Sequence, residues 1–198
     1  MAKWKQNKNR KSNKRFSVHN LYNEVLHNIT SHDQIIMPDV WLNLSPAKTE
    51  LFLLFALLNK LPTKDHLFFI GLCSLAMNKC VFCGQFGETA NHLLFLCNKS
   101  WQLWSFFYNW LGVEVATPSS LLLWFQQWKA LVQGHRQCQF WLYLFYAISW
   151  TLWFHRNEII FESVPFSSYW LQKLVFFWVA SWYNALSPSG SVSASDLL

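Results

Sequence analysis

The sequence predicts an all-α fold: helices packed around an aromatic-rich core, with one short cysteine- and histidine-bearing turn inserted between them. Three observations predict it. Apolar residues recur at three- and four-residue steps in segment after segment, which is the period of a helix and not of a strand. Apolar residues make up 53% of the 198-residue chain and charged ones 13%, about half the usual charged share, so a large interior is required. Thirteen Trp and 18 Phe make that interior aromatic. A chain of this length forms one domain with a real core.

Residues 1–15 read as a disordered basic tail. Lys3, Lys5, Lys8, Arg10, Lys11, Lys14 and Arg15 face no acid there. The rest of the chain holds nine basic and ten acidic residues, so the net charge of +6 lies in the tail and the body is close to neutral. Such a tail suits a nuclear import signal or an arm contacting phosphates, and equally a solvated leftover of a longer chain. No apolar stretch of a secretory signal follows it.

The helical domain spans 16–186. Val18, Leu21, Val25 and Ile29 step at the helical period, and Pro38 with Asp39 marks a break. Ser45 and Pro46 start the next helix as N-cap and first residue. Leu51 to Leu58 is apolar on every side, so this helix is expected to be central and buried. Pro62 and Thr63 end it and cap a short helix reaching about Leu72. Trp101, Trp104, Tyr108 and Leu111 form one helical stripe, stopped by Gly112. Thr117, Pro118 and Ser119 open a helix to about Val132, and Gly134 to Gln137 is a loop. Long helices follow, from about Cys138 to Phe161 and from Ser167 to Leu186. Residues 187–198, rich in Ser, Pro and Gly, are expected to be a disordered tail. Phe140 to Phe154 is free of charge but shorter than the roughly 20 residues of a membrane span, so no span is expected.

The inserted turn is the segment 80–97, with the pattern C-x2-C-x8-H-x4-C formed by Cys80, Cys83, His92 and Cys97. Two cysteines two residues apart form a knuckle that aims both sulfurs at one point. Gly84 suits the positive φ such a turn needs. Thr89 can cap a short helix from Ala90 that carries His92 and ends at Cys97. Three thiolates and an imidazole complete one tetrahedral Zn2+ shell, with ligand atoms within about 4 Å of one another. Four protein ligands leave no open position, so the zinc is structural. A redox C-x-x-C pair and unrelated buried thiols are the alternatives. Cys73 and Cys138 are expected to be spectators. Five cysteines used in this way suit a reducing, intracellular compartment.

The segment and its flanks resemble the zinc-binding domain of reverse transcriptases from plant LINE-type (non-LTR) retrotransposons, over about residues 16–163. Glu88 and Thr89 before His92, Leu93, Leu94 and Cys97 match the centre of that family's pattern. Phe16, Ser17 and Val18, then Pro46 to Phe52 with Leu61 to Asp65, match upstream landmarks. Trp150, Trp153, Arg156, Asn157 and Phe161 match a downstream one. The resemblance implies a non-catalytic zinc module that grips RNA or DNA beside a polymerase. It also implies an apolar surface that a reverse transcriptase or other protein would cover.

This chain departs from the family where Leu67 to Ile70 replaces basic residues, Leu54 a tryptophan and Ala47 a proline. With charge lost there, nucleic-acid affinity is expected in the tail, weak and salt-dependent, with Lys79 and Lys99 flanking the knuckle as minor contributors. Base stacking on Phe82 and Phe86 is the alternative mode. A degenerate fragment serving only as a helical scaffold is the alternative function.

Catalysis is not expected. Asp33, Asp39, Asp65 and Asp196 are scattered, no Asp-Asp pair can hold two metal ions, and no Gly-rich phosphate loop, G-x-S-x-G or H-E-x-x-H occurs. His155, Glu158 and Glu162 read as a solvated helix face. Arg156 is expected to meet a carboxylate and Asn157 to bond backbone.

Overall fold

The structure, a computed structural model, describes residues 37–72, 74, 77–114, 118–132, 138–186, 192–193 and 195. The expected helix at 17–28, the loop at 134–137 and the tail at 1–15 lie outside the described residues, as does most of 187–198. Among the described residues every regular element is helical. None is long and apolar enough to cross a membrane.

A short α1 (Met37–Val40) opens the described chain. Pro38, read as a break, lies inside its first turn, where a missing N–H leaves no bond unmade. The start of α2 (Ala47–Leu57) also departs from the reading. Pro46 occupies the cap position and the Ser45 hydroxyl has no hydrogen-bond partner. No side chain caps this helix; Glu50, 1% exposed inside the core, turns its Oε1 instead to the loop ahead and accepts the Leu44 N–H at 2.9 Å. Burial pushes its carboxyl above the ordinary value of 4.5, opposed by backbone N–H groups of Leu44, Ser45, Asn43 and Leu42. The apolar run is buried as expected, with Phe52, Leu53, Leu54, Ala56 and Leu57 in the core.

Thr63 caps α3 (Lys64–Phe69) by accepting the His66 N–H at 3.3 Å. α4 (Asn98–Leu111) carries the aromatic stripe inward and stops at Gly112, whose φ of 66 only glycine adopts freely. α5 (Leu121–Val132) begins later than read, because Ser120 is the cap, accepting the Leu123 N–H at 3.2 Å. α6 (Cys138–Glu162) and α7 (Ser168–Leu186), joined by residues 163–167, form an antiparallel pair and the most extensive helix contact. Asn184 bonds both backbone groups of Val192 beyond the end of α7.

α6 is the hub. Leu144, Phe145, Tyr146, Ala147 and Ile148 are all fully buried, so the helix is enclosed on every side. Phe52 of α2 packs on Trp150 and Trp153, with ring centroids at 5.4 and 5.8 Å. Trp104 of α4 meets Trp124 of α5 at 4.2 Å and Phe145 of α6 at 5.3 Å. Three buried indole N–H groups are satisfied, Trp104 donating to the Leu94 carbonyl, Trp128 to the Trp141 carbonyl and Trp124 to the Tyr108 hydroxyl, whereas that of Trp178 has no partner. Full burial of each such ring contributes roughly 1.5–3 kcal/mol or more.

Candidate metal centre

The knuckle forms as its sequence demands. The Gly84 N–H returns to the Cys80 carbonyl at 2.8 Å, and Gly84 itself has φ +68. The Cys80 N–H bonds the Phe86 carbonyl at 2.8 Å, closing the loop behind the two sulfurs. Thr89 Oγ1 accepts the His92 N–H at 3.0 Å, the expected cap.

The helix it caps widens into a π-turn over His92–Leu96. Its five-residue bond runs from the Cys97 N–H to the His92 carbonyl at 2.7 Å, bringing the last two ligand residues of the pattern onto one turn. The carbonyls of Leu93 and Leu94 near the end of that turn are taken by α4, by the Ser100 hydroxyl and the Trp104 indole. The core thus fixes the turn that carries the ligands.

Cys80 Sγ, Cys83 Sγ, a ring nitrogen of His92 and Cys97 Sγ all lie within 4.8 Å of one another. That is wider than the expected 4 Å. With Zn–S near 2.3 Å, ligand atoms of a tetrahedral shell stand about 3.7 Å apart, so closure around an ion needs shifts of about 1 Å or less. Two contacts already sit near that spacing: Cys80 Sγ to Cys97 Sγ at 4.0 Å and Cys83 Sγ to His92 Nε2 at 3.3 Å.

The redox alternative pairs Cys80 with Cys83. Here each faces a different partner and all three cysteines are free. Three sulfurs and an imidazole converging on one point fit a zinc ion, and their number closes its shell.

The sulfurs are electrostatically unequal. The hydrogen bond from Cys80 pulls the Cys97 thiol down to about 5, helped by the N–H groups of Lys99 and Ser100 at the N-terminus of α4, against the effect of burial. The same hydrogen bond and burial push the Cys80 thiol up. A metal ion would bind both as thiolates.

Behind the knuckle stands a node that spacing did not reveal. Glu88 is fully buried, and its Oε1 receives Arg156 Nη2 at 2.7 Å and Nε at 3.1 Å. The same carboxylate accepts the Lys64 N–H at 3.1 Å and the Val81 N–H at 3.3 Å. One side chain thus joins α3, the knuckle and α6. Arg156 meets a carboxylate as expected, and its guanidinium lies 4.8 Å from the Trp153 ring centre. Asn157 does not bond backbone as expected; its Oδ1 accepts Arg156 Nη1 at 2.9 Å. Asn78 completes the node, accepting the Glu88 N–H and donating to Asp65.

His155 does not lie on a solvated face: it is fully buried, its Nδ1 2.9 Å from Glu158, its ring clustered with those of Phe82 and Phe166. Phe82 is 7% exposed, so it serves the core and offers no face to a base; Phe86 is 62% exposed. Lys79 is exposed with its ammonium on the Gln85 carbonyl, and Lys99 is half-buried over the Phe166 ring. Lys3, Lys5, Lys8, Arg10, Lys11, Lys14 and Arg15 lie outside the described residues, as do Cys73 and the side chain of Cys138.

A protein-family model described as zinc-binding in reverse transcriptase matches residues 16–104, just under half of the chain. The match includes all four ligand residues, Glu88, α2 and α3, and it begins at Phe16. The Trp150 to Phe161 landmark lies beyond it, although Arg156 reaches back to Glu88 inside it. Searches of curated proteins and of solved structures gave no match.

Proposed function

We propose that this chain is a non-catalytic module, derived from a plant LINE-type reverse transcriptase, that holds one structural Zn2+ and contacts RNA or DNA. The observation that carries the reading is the convergence of Cys80, Cys83, His92 and Cys97 beneath a buried core. A four-ligand shell leaves no position for a substrate or water, so the ion would hold the knuckle on α4 and α6 and not act on a bound molecule. The family match to residues 16–104 supports a place beside nucleic acid.

The affinity resides in the basic tail. Its seven Lys and Arg side chains suit phosphates, while Lys79 and Lys99 already have local partners. The same tail suits nuclear import of an intracellular protein. Binding is expected to be weak, independent of sequence and strongly salt-dependent, with a slope of about −0.9 per phosphate contact on duplex and about −0.7 on single strands.

The test is a salt titration of binding to single-stranded RNA and duplex DNA, with and without residues 1–15. The reading requires that deletion flatten the slope almost completely. Salt-insensitive binding at micromolar or tighter concentration by the tail-less protein would defeat it. No binding by the full chain would favour the second reading, a protein-interaction scaffold, for which exposed Tyr169, Trp170 and Phe177 on α7 speak.

A further inference from the structure

Where the chain leaves α3 it exposes a run of apolar side chains. Leu67, Phe68, Phe69, Ile70, Gly71 and Leu72 follow one another with no polar side chain among them. Phe69 is 87% exposed, Leu72 73% and Ile70 51%, and Phe68 also faces water. Met77, beyond the turn, and Phe161, at the end of α6, are exposed as well and share a groove with Leu67. Apolar exposure on this scale marks a surface that meets something else.

We propose that this tip enters the interfacial layer of an anionic lipid bilayer. The geometry favours a fluid partner over a folded one. Successive helical residues stand about 100° apart around the axis, so Phe68, Phe69 and Ile70 point to different sides. Leu72 follows Gly71, whose φ of +76 turns the chain. A single protein face would cover one of those sides, whereas acyl chains reach them all.

The backbone of the tip suits an apolar phase too. The Ile70 N–H donates to the His66 carbonyl at 3.1 Å, Gly71 to Phe68 at 3.0 Å and Leu72 to Leu67 at 2.8 Å. These three donors need no water, which is what a bilayer demands of a backbone that enters it. Charge agrees. Lys79, two residues beyond Met77, is exposed, and its ammonium rests on a neutral acceptor, the Gln85 carbonyl. It keeps its charge for an anionic headgroup beside the apolar tip. Asp65, the one carboxylate of α3, lies in its first turn, away from the tip, and accepts the Asn78 amide at 2.9 Å. The net charge of +6 draws the whole chain toward the same surface. The protein would lie on such a bilayer without crossing it.

The test is vesicle binding by the full chain, with p-benzoylphenylalanine in place of Phe69 or, separately, of Phe177 on α7. The vesicles are phosphatidylcholine mixed with phosphatidylserine, or phosphatidylcholine alone. After irradiation on the mixed vesicles, mass spectrometry is expected to find an acyl-chain adduct at position 69 and none at position 177. Returning one large apolar side chain to water weakens partition about tenfold or more, so Phe69→Ser and Leu72→Ser should each lower binding by about that factor. Both positions are exposed, and circular dichroism checks that the fold is kept. Omitting phosphatidylserine should also weaken binding. No adduct at position 69, equal adducts at both positions, a link to a second copy in place of the lipid, or unchanged binding in either serine variant or without phosphatidylserine would overturn the proposal. Nucleic acid is left out, so the result stands apart from whether the protein binds RNA or DNA.

Discussion

Glu88→Ala is the substitution that reaches furthest into the fold. It strands Arg156, 4% exposed, with the Asn157 side chain and the Pro62 carbonyl as partners but no counter-charge. Removing one member of a buried ion pair costs about 3–5 kcal/mol. The Lys64 and Val81 N–H groups, both half-buried, also lose their acceptor, which adds at most about 1–3 kcal/mol each. Against a total stability of about 5–15 kcal/mol, the domain would be at the edge of unfolding. Because Val81 lies between the knuckle cysteines, metal affinity should fall about 10–100-fold in whatever remains folded.

Glu88→Gln keeps the acceptor and removes the charge, so its cost should fall between wild type and Glu88→Ala. Combining Glu88→Leu with Arg156→Met removes both charges, and the double variant should be more stable than the summed single costs imply, by about 0.5–3 kcal/mol. Urea unfolding measures the stabilities and competition with a chelator the affinity. A cost below about 1 kcal/mol for Glu88→Ala, or strict additivity in the double variant, would show that Glu88 does not hold these elements together.

Glu50 gives a pH signature. Its folded-state pKa lies above the ordinary 4.5, so its proton is held more tightly in the folded chain; its contribution to stability is full below that value and is lost as pH rises through the folded pKa. Glu50→Gln keeps the acceptor for the Leu44 N–H and should flatten the pH dependence of stability above 4.5, and unchanged dependence would contradict this. Phe82→Ala should cost about 3–5 kcal/mol by opening a cavity beside His155 and Phe166, whereas Phe86→Ala should stay within about 0.5 kcal/mol; thermal unfolding separates them. Lys79→Ala and Lys99→Ala should each change the salt slope of nucleic-acid binding by less than about one unit, since one phosphate contact is worth no more.

Local chemistry was legible in the sequence where the deciding partners are near neighbours. Thr63 and Thr89 cap helices three residues ahead of them, Gly84 and Gly112 take the positive φ their turns require, and the spacing of Cys80, Cys83, His92 and Cys97 brings four ligand atoms together. Readings missed where the partner is remote or the environment decides. Glu88 and Arg156 lie far apart in the chain, so only tertiary packing names the carboxylate that Arg156 meets. His155 sits beside charged Glu158 in sequence, yet its other side meets Phe82 and Phe166 from two separate loops. Glu50 stands at the front of an apolar run, a place where the period says nothing about a buried carboxylate bonding the backbone upstream. The π-turn is likewise invisible to periodicity; its width follows from α4 taking the carbonyls of Leu93 and Leu94.

On this proposal one zinc ion, held by Cys80, Cys83, His92 and Cys97, secures the knuckle to the helical core. Elemental analysis of folded, purified protein tests it most directly. One zinc per chain is expected, and in Cys83→Ser a loss of that zinc with unfolding of at least residues 73–98, since structural zinc in small fingers contributes on the order of 10–16 kcal/mol. A folded sample with metal content near zero would contradict it.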